Sequence, residues 1–237
     1  MKNNLICAFG DSVMKGIVTD SHQDDEGKMK YRISSDGFVN KCEQLFGLKI
    51  FNYACFGSTT AQGKKYMERH LAEIQQSDYV VFEYGGNDCD YNWSKISENP
   101  DGQYLPNTTI SDFVRYYSEL ITNVLKMNVV PVIMSMPLID PDRFFLHLSN
   151  GLNRQNILKW LGGKTSNLYH WHERYNVELF KMASRLDVPI IDITSPFLEI
   201  KNYPDYICDD GIHPNEKGHQ LIAETICNYG HRIVKTT

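Results

Sequence analysis

Long apolar runs, net positive charge, paired cysteines and glycine-rich phosphate loops are all missing from this chain of 237 residues. No window approaches the uninterrupted apolar length of about 20 residues that a membrane-spanning helix requires. A formal net charge of -5 at pH 7 leaves no basic face of the kind that contacts with nucleic-acid phosphates demand. The six cysteines (Cys7, Cys42, Cys55, Cys89, Cys208, Cys227) contain no CxxC spacing, which removes zinc-ribbon and dithiol redox readings and leaves free thiols. Neither a GxGxxG nor a Walker-type loop occurs, so nucleotide chemistry is disfavoured. The first apolar run is short and no small-residue cleavage site precedes it, so the expectation is a soluble, cytoplasmic protein.

What the chain does contain is an alternation of short apolar runs with stretches of helical spacing. Strands are expected at Asn4 to Phe9, Lys49 to Ala54, Asp78 to Gly85, Val129 to Met136 and Val188 to Ile193. Helices are expected at Phe38 to Gly47, Ala61 to Gln76, Thr109 to Asn128, Asn167 to Leu186 and Asn215 to Gly230. Near-continuous apolar strands joined by helices imply a parallel sheet covered on both faces, hence one three-layer α/β/α domain over residues 1–237. Such sheets bind ligands at the carboxyl ends of their strands, near the switch in strand order. The acidic stretch Asp20 to Gly27 reads as a solvated loop, with a cation site as the alternative. Leu138 to Ser166, carrying aromatics and an Ile157-Leu158-Leu161 grouping, fits no minimal alternation. Its place after a strand makes it an inserted lid or wall over the site, or else a dimer contact or plain packing.

Four short pieces sit at the carboxyl ends of these strands or ahead of the last helix. They are the Gly10-Asp11-Ser12 turn, the Asn52 to Thr60 stretch with Gly57, the Gly86-Asn87-Asp88 turn, and Asp209 to Pro214 with Asp210 three residues before His213. Each alone is ordinary turn chemistry. Together they supply the parts of acyl transfer on one rim of the fold. A serine hydroxyl is a poor nucleophile until a neutral imidazole takes its proton, and imidazole's ordinary pKa of about 6.5 suits that task near neutrality. Ser12 is therefore the candidate nucleophile and His213 the candidate base. Asp210 can hold that imidazole in one tautomer, helped by a sharp turn at Gly211, and Asp209 competes for the role. Backbone N–H groups of Ser12 and Gly57 with the Asn87 amide make three candidate oxyanion donors, Gly57 being glycine so that backbone can approach the substrate.

The blocks Phe9 to Gly16, Asn52 to Thr60, Tyr84 to Asp88 and Asp210 to Pro214, in this order, resemble those of the SGNH hydrolase superfamily, the GDSL-type esterases. The resemblance implies a flavodoxin-like sandwich and ester hydrolysis through Ser12, His213 and Asp210, with Ser12, Gly57 and Asn87 as the oxyanion hole and no cofactor or metal. Val13 replaces the family's usual leucine after Gly-Asp-Ser, and the long insert weakens any transfer of substrate specificity. The expected substrate is a small acyl ester, with a carbohydrate O-acetyl ester favoured. Lysophospholipids, acyl thioesters and acyl transfer to an alcohol stay open on the same triad. A non-catalytic ligand-binding protein is the reading from another class, although a binder has no need of both His213 and Asp210. His170 and His172, two apart on a helix, face different ways and are expected at the rim or surface rather than on a metal. Tyr91, Trp93, His147 and Trp160 are expected to pack, or to touch substrate.

Overall fold

The computed structural model describes residues 5–23 and 29–236. In chain order they form β1 (Leu5–Gly10), α1 (Ser12–Lys15), β2 (Ile17–Gln23), β3 (Met29–Ile33), α2 (Phe38–Phe46), β4 (Lys49–Asn52), α3 (Thr60–Glu68) and α4 (Leu71–Gln76). There follow β5 (Tyr79–Glu83), α5 (Trp93–Glu98), α6 (Ile110–Leu125), β6 (Val130–Met134), α7 (Pro141–Leu148) and α8 (Arg154–Trp160). The chain closes with α9 (Ser166–Leu186), β7 (Ile190–Ile191), α10 (Thr194–Glu199), a 3-10 turn at Tyr203–Tyr206 and α11 (Glu216–Thr236). No helix among the described residues is long and apolar enough to cross a membrane.

Five strands make one sheet in the order β4-β1-β5-β6-β7, every pair parallel. This is the flavodoxin-like order, and the expected α/β/α sandwich is what the chain adopts. The chain leaves β1 toward one edge and returns on its other side as β5, so the switch in strand order opens a crevice beyond the carboxyl ends of these two neighbours. Alternation along each strand sends side chains to opposite faces. Cys7 and Phe9 of β1 with Val80 and Phe82 of β5 join one core, which also takes Phe113, Tyr117 and Leu120 of α6 and Leu179 and Met182 of α9. Ala8 of β1 and Val132 and Met134 of β6 join the other, under Phe38 of α2 and Ile222 of α11.

Helix α6 shows how local signals and packing agree. Thr109 caps it, its hydroxyl accepting from the Asp112 N–H at 3.3 Å. Phe113, Tyr117, Leu120, Ile121 and Val124 then recur on the one face that is buried. The insert is not a bare loop: α7 and α8 bury Phe145, Ile157 and Leu161 in a third core with Trp93, Ile96 and Leu168.

Three expectations need correction. The single helix over Ala61 to Gln76 is two, α3 and α4, broken where the His70 ring stacks on Tyr53 with 3.6 Å between centroids. Asp20 to Gln23, read as part of a solvated loop, belongs to β2, which pairs antiparallel with β3 outside the main sheet; the remainder of that stretch, 24–28, lies outside the described residues. The last strand holds only Ile190–Ile191, because Asp192 turns outward to cap the start of α10 through the N–H groups of Thr194 and Ser195.

Two neighbouring tyrosines set up a stability test. Both are fully buried, but the Tyr117 hydroxyl donates to the Phe82 carbonyl at 2.9 Å, whereas that of Tyr84 has no partner among the described residues. Tyr117→Phe should lower the unfolding free energy by about 1 kcal/mol in guanidinium titration. Tyr84→Phe removes an unpaired buried hydroxyl and should leave stability unchanged or raise it.

Candidate active site

The carboxyl end of β1 is built for close approach. A Cβ on Gly10 would stand 2.7 Å from the Glu83 carbonyl oxygen, so a side chain there would push β1 from β5. Asp11 caps α1: its Oδ1 accepts from the Val13 N–H at 3.0 Å and its carbonyl from the Lys15 N–H at 3.1 Å. The Met14 N–H goes to Glu83 Oε2 at 3.2 Å. Of these first-turn donors, the Ser12 N–H is left without an acceptor among the described residues. Gly16, left-handed at φ 78°, ends the turn.

The loop ahead of α11 brings His213 to the same point. His213 Nε2 lies 2.8 Å from Ser12 Oγ, and its Nδ1 lies 2.5 Å from Asp210 Oδ2. Asp210 Oδ1 accepts the N–H groups of Ile212 at 3.0 Å and His213 at 3.1 Å. Burial pushes the Asp210 carboxyl up, but the hydrogen bond from His213 and the backbone donors outweigh it and hold the group below its ordinary value. An ionised Asp210 accepting from Nδ1–H leaves Nε2 with a lone pair toward the Ser12 hydroxyl. The competing Asp209 is exposed, while Asp210 is sealed at 0% exposure. Gly211 has φ 79° and stands against the backbone of Asp140 and Phe144, and its carbonyl accepts from the Asp140 N–H at 2.8 Å. The insert therefore braces the loop that carries His213.

Asn87 follows β5 and its Nδ2 donates to Asp11 Oδ2 at 2.9 Å. The next residue, Asp88, accepts from the Thr60 hydroxyl at 2.6 Å and from its N–H at 3.1 Å, which joins the start of α3 to the Asn87 turn. Burial raises the Asp88 carboxyl to about 6 against those donors. Gly57 has a left-handed φ of 72°, a conformation that favours glycine, and a Cβ there would meet nothing of the chain within 4 Å. Gly57 also stands outside the walls of the cavity that Ser12, Asn87 and His213 share. Its neighbour Phe56 does reach the site, its ring lying 6.0 Å from that of His213 and 24° from parallel.

That shared cavity measures about 100 Å³. Beyond Ser12 its walls are Ile139, Phe144, Leu168, Trp171, Tyr91 and Trp93. Trp160 stands behind them, packed on Tyr91, Trp93 and Trp171. Of the aromatic residues picked out in the sequence, Tyr91 and Trp93 line the cavity, Trp160 packs, and His147 Nε2 meets the Tyr31 hydroxyl at 3.2 Å. Of the two histidines expected at the rim or surface, His170 is exposed and His172 is buried and lines the cavity. Helical spacing held that signal, since Leu168, Trp171 and His172 stand three and four apart on one face of α9. Tyr31, whose ring meets His213 edge-on at 5.4 Å, had no such signal because it comes from β3. Glu83 was missed as well, a charged residue closing an apolar strand.

Comparison with known proteins gives the family and the fold. The family model described as "GDSL-like Lipase/Acylhydrolase family" matches residues 8–221. No curated protein sequence gives a significant match. Among solved structures, a lipase/acylhydrolase from Enterococcus faecalis superposes with a TM-score of 0.61 at 17% identity, over 95% of this chain and 94% of that one. A catalytic mutant of an acetylxylan esterase from Geobacillus stearothermophilus gives 0.66 at 14% identity, over 94% and 92%. A member of the lipolytic G-D-S-L family from Veillonella parvula gives 0.59 at 17%, over 94% and 96%. At these identities the superpositions show a shared fold.

The contact between the insert and the His213 loop can be tested at Gly211. Gly211→Ala forces a side chain into the Asp140 and Phe144 backbone at a left-handed position and should destabilise by about 1 to 3 kcal/mol, read as a lowered midpoint of thermal unfolding. Gly57→Ala, with open space around it, should cost less in the same measurement.

Proposed function

The chain belongs to the GDSL-like lipase/acylhydrolase family and is a carboxylic ester hydrolase, and on that premise we propose that it works through an acyl-Ser12 intermediate on small acyl esters, with carbohydrate O-acetyl esters as the substrate class. The observation that carries the reading is the unbroken chain Ser12 Oγ, His213 and Asp210, at 2.8 and 2.5 Å, opening into a cavity of about 100 Å³.

The steps follow from those atoms. Ser12 Oγ attacks the ester carbonyl carbon while its proton passes to His213 Nε2, and Asp210 stabilises the imidazolium that forms. Charge collecting on the carbonyl oxygen is met by the N–H groups of Ser12 and Gly57 and by the Asn87 amide. Its hold on Asp11 fixes the orientation of Asn87 before substrate arrives, so no reorganisation is needed at the moment of reaction. The tetrahedral species collapses by breaking the bond to the alcohol oxygen, which takes the proton from Nε2. Water then enters, gives its proton to the same nitrogen, and releases the acid and free Ser12.

Cavity size argues for a short acyl group. An apolar cavity of about 150 Å³ holds a benzene ring, so one of about 100 Å³ suits two or three carbons rather than a lipid tail. On the alcohol side the supports are Phe56, 53% exposed, and Tyr31, which flank His213 and offer aromatic faces to a sugar ring. The acetylxylan esterase among the similar folds points the same way. The insert at 138–166 serves as the fixed wall of this site within a single domain.

Hydrolysis of p-nitrophenyl esters from acetate to octanoate tests the reading. Turnover should be highest on acetate, fall steeply beyond propionate, and vanish in Ser12→Ala; equal rates on octanoate would overturn the short-acyl assignment. Asn87→Ala should lower kcat roughly a hundred- to a thousand-fold with KM little changed. An effect confined to KM would remove Asn87 from the oxyanion hole.

A further inference from the structure

Beneath Ser12 lie two buried acids that the acyl-transfer steps leave without a task. Asp11 is 2% exposed and Glu83 is 1% exposed. Gly10 and Glu83 are register partners across β1 and β5, which sets the Asp11 and Glu83 side chains together at the strand ends, and the two carboxyl groups are in hydrogen-bonding contact. The other titratable groups around them are Tyr84 just after β5, Tyr117 on α6, Asp88 and Cys89 in the Asn87 turn, and His213 ahead of α11. No lysine or arginine pairs with either acid among the described residues.

Two carboxylates in contact, out of water and without a cation, cannot both ionise, so the pair shares one proton. The donors decide where it sits. Burial raises the Asp11 carboxyl, but its oxygens accept from the Val13 N–H at 3.0 Å and from the Asn87 amide at 2.9 Å, donors that favour its anion. Burial and the neighbouring Asp11 charge push the Glu83 carboxyl well above the ordinary range. An anionic Asp11 then accepts along one oxygen from the turn that carries Ser12 and along the other from Asn87.

We propose that Glu83 is a positioning residue held as a neutral carboxylic acid, which donates its proton to the Asp11 carboxylate and so locks the Ser12 turn and the Asn87 amide in register with each other. The proposal rests on the reading of Ser12 as nucleophile and Asn87 as oxyanion donor. Its acid proton goes to Asp11 while its Oε2 accepts the Met14 N–H, so one side chain ties β5 to both ends of the Asp11 cap. Because the lock needs Glu83 neutral and Asp11 ionised, it is present between the two raised carboxyl values and is lost as pH rises through that of Glu83. Two adjoining anions would then push the Asn87 turn away from α1.

The test uses the full chain, p-nitrophenyl acetate, and infrared spectroscopy of the carboxylic-acid C=O stretch in D2O. Wild type should show a protonated-acid band at neutral pH that Glu83→Gln lacks. Glu83→Gln, whose amide donates to Asp11 and whose carbonyl accepts from Met14, should keep kcat within about threefold of wild type. Glu83→Leu should lose about 10- to 100-fold in kcat with KM little changed, as expected when an oxyanion donor is misplaced. On raising pH, the wild-type band and kcat should fade with one midpoint. Absence of the band at neutral pH, a Glu83→Leu kcat equal to wild type, or a kcat that persists after the band has gone would overturn the proposal. Should Glu83→Gln fail to fold, the wild-type band and its shared midpoint with kcat still decide. Activity that survives in Ser12→Ala would instead strike the acyl-Ser12 reading, while the band would still report where the proton is.

Discussion

A carboxylate taken out of water destabilises a fold unless donors converge on it, and a hydrogen bond to a charged group contributes about 1.5 to 3 kcal/mol. Four acids, Asp11, Glu83, Asp88 and Asp210, are buried at the carboxyl ends of this sheet, and none of them is paired with a lysine or arginine among the described residues. Their donors are backbone N–H groups, a threonine, an asparagine and a histidine, drawn from the turns and the first helical turns that surround them. That constraint turns loops into a rigid site. Moving the Asn87 turn uncovers Asp11, moving the start of α3 uncovers Asp88, and moving the loop ahead of α11 uncovers Asp210. Rigid placement of donors before substrate arrives is what electrostatic catalysis needs.

Much of this was legible in the sequence, for two physical reasons. Five apolar runs bounded by glycine and helical spacing gave the sheet and its covering helices, because burial on both faces leaves strands no polar side. The chemistry of acyl transfer requires particular residue types, so Ser12, Asp210, His213 and Asn87 could be chosen from strand ends before any contact was known. Tyr31, Phe56 and Trp171 were not chosen, since their relation to His213 or the cavity depends on contacts between elements far apart in the chain. Glu83 escaped for a different reason. An acid ending an apolar strand reads as the polar exit of that strand, and only the register that sets it beside Asp11 shows that it points inward. Gly57 was chosen so that backbone could approach a substrate; its left-handed φ of 72° is a second reason for glycine, one that needs φ rather than composition.

Two sets of aromatic side chains flank the Ser12–His213 pair. The cavity is walled by Tyr91 and Trp93 from the loop after β5 and by Leu168 and Trp171 from α9. Outside it, Tyr31 from β3 and Phe56 from the loop after β4 pack on each other and on the His213 ring. Helix α7 joins the two sets, since Phe144 lines the cavity and His147 Nε2 lies 3.2 Å from the Tyr31 hydroxyl.

The brace between the insert and the His213 loop carries a consequence for how such a protein could diverge. Phe144 both lines the acyl cavity and packs its backbone on Gly211, one residue from Asp210. Drift of the insert would therefore disturb Asp210 and the loop that carries His213 at the same time. Lineages that change specificity by this path would have to hold the backbone of Asp140 to Phe144 fixed while their side chains vary. Tyr31 and Phe56 are held just as closely, since both rings pack on His213 and the Tyr31 hydroxyl meets His147 of the insert at 3.2 Å.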